Sequence, residues 1–148
     1  MAEIYKFRLQ KLLDIRKNFE DKSKLQFKEA QRQRDLVKDE LNILKEKYKM
    51  YKNIDSLESV VQQKMKQNYL NSLNYAIDEV TVTLEDKEDI LEQKRQELKQ
   101  CQVDKKTVEI LKENQKNEFL KEQNSIEQKT NDEFALYSFI RNTNKVRR

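Results

Sequence analysis

The chain contains neither glycine nor proline in 148 residues, where average usage would supply roughly ten of the first and seven of the second. Tight turns and bulges draw on glycine for positive φ and on proline for fixed φ. A chain without either can reverse direction only rarely, so most of it must run as uninterrupted helix. Charged residues make up 39% and apolar ones 36%, with Glu, Lys, Gln and Leu throughout. That composition suits an apolar stripe on a solvated helix. A stripe feeds a seam between helices, and the fold class read from it is all-α.

Seam positions spaced alternately three and four apart can be written out along the sequence. The first run is Leu9, Leu13, Arg16, Glu20, Ser23, Phe27, Ala30, Arg34, Val37, Leu41, Leu44, Tyr48 and Tyr51. Leu12, Ile15 and Phe19 set up a competing register, which broadens the apolar face of the first third. The pattern stops around Lys52 to Ser56, where Asp55 followed by Glu58 reads as a capping box opening a second helix. Leu57, Val60, Val61, Met65 and Tyr69 follow. A long seam then runs through Leu73, Ile77, Val80, Leu84, Lys87, Leu91, Lys94, Leu98, Cys101, Lys105 and Val108, and fades toward Phe119, Ile126, Leu136 and Ile140. Glu20 with Lys24, Glu92 with Arg95 and Glu118 with Lys121 have helical ion-pair spacing, each contributing about 0.2 to 0.5 kcal/mol.

Two helices joined by a short turn lie antiparallel. The expected fold is therefore a long two-helix antiparallel coiled-coil hairpin with a longer C-terminal helix, forming one domain over 1–148. Helix 1 covers about 4–52, the turn about 53–56, helix 2 about 57–140, and a basic tail 141–148. With the bend near Asn53, Leu9 should face the region of Cys101. Residues beyond Lys106 should then lack an intramolecular partner although they retain Val108, Phe119, Ile126, Phe134, Leu136, Tyr137, Phe139 and Ile140, which another chain would cover.

The sequence has no histidine and one cysteine. Histidine-dependent triads are impossible, the thiol has no imidazole to activate it, and no glycine-rich loop can cradle phosphate. Carboxylates on exposed helix faces are not expected to be tuned for catalysis, and pairs such as Asp86 with Asp89 lack the loop that Ca²⁺ requires. The chain is read as having no catalytic, cofactor-binding or metal residues and as not an enzyme. Cys101 reads as a small apolar seam residue. No apolar run approaches a membrane span and no secretory block opens the sequence, so no direct membrane insertion is expected; Asp14, Glu20 and Asp21 argue against an organellar presequence. The net charge of +4 gathers at Arg141, Lys145, Arg147 and Arg148, but acids interleave with bases elsewhere, unlike a DNA-reading basic helix. No nucleic-acid partner is expected. Tyr48, Tyr51, Tyr69 and Tyr75 flank the bend. Tyr69, Leu73, Ala76 and Val80 fall at i, i+4, i+7 and i+11 on one helix face, a face that suits either seam packing or the docking of a partner.

Three segments carry a resemblance to a known family. FRLQKLLDIRKNFEDKSKLQFKEAQ, with Phe7, Leu9, Leu12, Leu13 and Arg16, resembles the N-terminal helix of the FliJ family of the bacterial flagellar type III export apparatus. NYLNSLNYAI resembles its central motif and NDEFALYSF its C-terminal element. The resemblance implies a two-helix coiled coil similar to the shaft of a rotary ATPase γ subunit. It implies a chaperone-like protein-transport role in flagellum biogenesis and motility, located in the bacterial cytoplasm and peripherally at the membrane of the flagellar basal body. The partners it implies are the flagellar export ATPase hexamer, the cytoplasmic domain of the membrane export gate, and export chaperones. Carried over by motif, the gate face falls on Tyr69, Leu73, Ala76 and Val80, with Leu41, Leu44, Tyr48 and Tyr51 on the facing helix. Val80 departs from the polar aromatic of some relatives. The ATPase-binding residues implied, together with the overhang, are Phe7, Leu12, Phe119, Ile126 and Phe134. The alternative reading is a structural tether or dimeric spacer without an export role.

Overall fold

The computed structural model describes residues 3–53 and 57–147. Two helices account for most of them: α1, Gln10–Tyr51, of 42 residues, and α2, Val60–Val146, of 87. No described residue is in a strand. The expected inequality of the two helices is present. The expected capping box and most of the expected turn lie outside the described residues, because they involve Asp55 and its neighbours.

The chain divides into two units, Asn18–Gln102 and a second made of Met1–Lys17 with Val103–Arg148. In the first, the α1 seam from Glu20 through Ser23, Phe27, Ala30, Arg34, Val37, Leu41 and Leu44 to Tyr48 is buried or half-buried at every expected position. The α2 seam from Leu73 to Cys101 is likewise covered. Tyr51 meets Tyr69 and Phe27 meets Arg95, so advance along α1 is matched by retreat along α2 and the pairing is antiparallel. Leu41, Leu70, Leu73 and Leu91 are almost wholly buried, each contributing about 2 kcal/mol of hydrophobic stabilisation. Lys87 and Lys94 stand at seam positions and are half-buried, as long side chains with an apolar stem can be. Glu20 and Ser23 are polar yet only 3% and 6% exposed; Glu20 accepts from the Lys24 ammonium at 2.7 Å. The Glu92–Arg95 pair also forms, at 2.8 Å.

The first turns of α2 depart from expectation. Leu57, Val60, Val61, Met65 and Tyr69 face outward, and the seam is filled instead by Gln63, Lys66 and Leu70. These three continue the three-and-four spacing backward from Leu73, whereas Met65, Tyr69 and Leu73 would have required two successive steps of four. The register of the long seam therefore prevails over local hydrophobicity. The helix start is fastened by polar groups: the Ser59 hydroxyl accepts from the Gln62 amide N–H at 3.3 Å while the Gln62 side-chain oxygen accepts from the Ser59 N–H at 3.2 Å. This is a reciprocal capping box. Lys66 donates to the Asn53 carbonyl at 3.2 Å and to the Glu58 carboxylate at 2.8 Å, tying the connection back to α2.

In the second unit, Leu13 and Val108 are buried, and Arg16 donates to Asp104 at 3.2 Å. Gln10 accepts from the Lys112 ammonium at 2.8 Å. Leu9 thus lies beside residues that meet Lys112, not the region of Cys101. Residues 3–7 have no regular structure, and α1 starts at Gln10, not near residue 4.

Candidate partner-binding surfaces

The eight residues of the expected gate face belong to Asn18–Gln102 and separate by depth. Leu41 and Leu73 are each 5% exposed, deep in the interhelical seam. Leu44, Tyr48, Ala76 and Val80 are half-buried along its flanks. Tyr51 and Tyr69 are the most open, at 42% each, and their rings pack edge to face at 5.1 Å. Leu41 and Leu73 therefore pack the hairpin and the tyrosine pair is what it presents outward. The same helices carry an apolar margin: Met50 on α1, and on α2 Val61 and Met65, which the spacing places in the apolar run, are largely exposed, as is Tyr75, one of the tyrosines flanking the bend. The signal for such a margin was available, because Val61, Met65, Ser72 and Tyr75 recur at i, i+4, i+11 and i+14, one side of a helix, and none belongs to the observed seam.

The five residues expected to meet the ATPase lie in the other unit and fall into two groups. Phe7, Leu12 and Phe119 are half-buried. The Tyr5 ring packs on Phe119 with centroids 5.6 Å apart, the Tyr5 hydroxyl donates to the Lys112 carbonyl at 3.4 Å, and the Lys112 ammonium sits 5.9 Å from the centre of the Phe7 ring. The expectation that residues beyond Lys106 lack an internal partner is thereby corrected. The few residues before α1, turning through the bond from the Gln10 N–H to the Phe7 carbonyl at 3.3 Å, reach as far along α2 as Phe119. Ile126 and Phe134 have no such cover: they are 51% and 67% exposed, and every described residue from Asn124 to Arg147 is exposed. Leu136, Tyr137, Phe139 and Ile140 extend this bare apolar run.

A third feature is an open groove of about 530 Å³ on the side of the hairpin, lined by Leu25, Ala30, Lys87 and Ile90 among others. On its edge Arg32 forks onto the Glu29 carboxylate at 3.1 and 2.7 Å, and the Gln33 amide donates at 3.0 Å. The Glu29 carboxyl is held at about 2, first by the Arg32 hydrogen bonds and then by Gln33. Among the described residues no group of His, Cys, Asp or Glu is placed to hold a metal ion, and no helix is long and apolar enough to cross a membrane. What the surfaces offer is apolar and aromatic contact area for other macromolecules.

A family model described as Flagellar FliJ protein matches residues 5–144 of the chain. Comparisons with curated proteins and with solved structures gave no match.

Proposed function

The chain belongs to the flagellar FliJ protein family, which makes it a component of the flagellar export apparatus, and from this premise we propose that it works as a non-catalytic coiled-coil link between the export ATPase and the export gate. The bare end of α2, with Ile126 and Phe134, and the half-buried Phe7, Leu12 and Phe119, beside the clasp that Tyr5, Phe7 and Gln10 close on Lys112 and Phe119, meet the ATPase hexamer in the manner of a rotary ATPase γ shaft. The tyrosine pair beside the bend, with Ala76 and Val80 at the seam edge, meets the cytoplasmic domain of the gate. Escort of export chaperones is part of the same reading.

The observation that supports it is the exposed run from Asn124 to Arg147. Such a length of helix carrying large apolar side chains in water is the mark of a surface that another protein covers. Removing residues 124–148 leaves the contacts of Tyr5 and Phe7 intact, so the expected result is loss of ATPase-hexamer binding in a pull-down with gate-domain binding retained. Undiminished ATPase binding by the shortened chain would refute the assignment. The competing reading, a dimeric spacer, draws on the same bare run, because two copies could zip along it. Light scattering after size exclusion separates the two: a concentration-independent dimer favours the spacer, and a monomer that joins the hexamer favours the export link.

A further inference from the structure

Acids and bases interleave through most of the sequence, but after Glu133 the chain carries Arg141, Lys145, Arg147 and Arg148 and no acid at all. The same stretch holds the exposed Leu136, Tyr137, Phe139, Ile140 and Val146, and α2 continues through it to Val146. Within α2 most of them are sorted by side, with Tyr137 between the two faces and Arg147 one residue past the helix end, in line with Leu136, Ile140 and Thr143. Leu136, Phe139, Ile140 and Thr143 follow at i, i+3, i+4 and i+7 and share one face. Ser138, Arg141 and Lys145 follow at i, i+3 and i+7 and share the opposite one.

An exposed helix of this kind, aromatic and aliphatic on one face and cationic on the other, matches the chemistry of a lipid–water boundary. Apolar side chains sink to the level where headgroups meet acyl chains, and long cationic side chains reach back to the lipid phosphates. A protein groove would have to be apolar along its floor and acidic along its rim to satisfy the same segment. An anionic leaflet supplies both properties over any area, and charge of a single sign is what it attracts. We propose that the last turns of α2, from Leu136 to Val146, lie in the surface of membranes rich in anionic phospholipid. This narrows the role proposed above: of the bare run, the stretch with Ile126 and Phe134 stays with the protein ring, and the turns after it take a lipid surface instead. The segment rests on the bilayer without crossing it.

The test is co-sedimentation of the full chain with vesicles of phosphatidylglycerol and phosphatidylethanolamine, and with vesicles of phosphatidylcholine alone. Sedimentation with the anionic vesicles only, weakened by about tenfold when salt is raised, is expected. Phe139→Glu with Ile140→Glu, and separately Arg141→Glu with Lys145→Glu, should each lower vesicle binding by about tenfold or more. Circular dichroism should stay helical in both, because all four side chains are exposed. The charge variant replaces no apolar residue, so it remains decisive even if acids at 139 and 140 unwind the helix end. No binding to anionic vesicles, equal binding to neutral ones, or full binding by either variant overturns the proposal. So does a wild-type chain that ignores vesicles while the variants lose the ATPase hexamer, which would assign the segment to a protein groove.

Discussion

Tyr51 and Tyr69 meet edge to face, one ring from each helix, with centroids 5.1 Å apart and planes at 83°. This contact joins the last residue of α1 to a residue of α2 that lies just outside the seam. It both packs the end of the hairpin and leaves each residue 42% exposed. The eight residues proposed for the gate surface are therefore divided by depth, the inner ones packing the hairpin and the outer ones left open to solvent.

That division predicts different behaviour for neighbouring substitutions. Tyr69→Ala removes an aromatic pair worth about 0.5 to 1.5 kcal/mol and should weaken binding to the gate domain while circular dichroism stays helical. Leu73→Ala opens a cavity in the seam, costing about 2 to 5 kcal/mol, and should lower the urea midpoint visibly. Equal losses of stability from the two would mean that Tyr69 acts by packing alone.

The start of α2 is predicted to depend on Ser59. Ser59→Ala removes the hydroxyl that accepts from the Gln62 N–H and leaves that donor uncapped, a loss of about 1 kcal/mol. Urea denaturation should register it, with Ser59→Thr or Ser59→Asp restoring most of the stability. If alanine is as stable as serine, the reciprocal bonds contribute nothing.

Glu29 should titrate abnormally although it lies on an exposed face. The Arg32 fork holds its carboxyl at about 2, below the ordinary carboxylate value, so the interaction favours the folded state once pH exceeds the unfolded carboxylate range and disappears as pH falls through about 2. Carboxyl carbon NMR should show this low midpoint, and Arg32→Ala should return it toward the ordinary value. A normal midpoint in the unaltered protein would show that the fork is not populated in solution.

Much of the hairpin could be read from spacing because its seam is long. From Leu13 to Tyr48 and from Leu73 to Val108 each expected seam position is covered, since repetition over many turns makes a one-position slip inconsistent with its neighbours. The start of α2 was illegible for the converse reason: Val60, Val61 and Met65 are locally the most apolar choice, and only continuity with Leu73 reveals that Gln63, Lys66 and Leu70 face inward. The clasp was hidden more deeply. The irregular chain before α1 has no helical period, so nothing in the spacing of Tyr5 and Phe7 points to Lys112 or Phe119. For the candidate surfaces, sequence located the tyrosines, Tyr75 among them, and the bare end of α2, but not the margin of Met50, Val61 and Met65, because an apolar residue outside a seam carries no label saying whether it is rim or surface.

The clasp has a kinetic consequence. Its hydrogen bonds join residues 107 and 102 apart in sequence, whereas Tyr51 and Tyr69 are near neighbours along the chain, so closing the clasp first would cost about 1.5 kcal/mol more in loop entropy. Folding is thus favoured to zip outward from the bend, with Tyr5 and Phe7 arriving last. The reverse path makes the clasp the first contact to let go, which leaves the half-buried Phe119 intermittently bare and extends the apolar surface of α2 without unfolding the seam beside the bend.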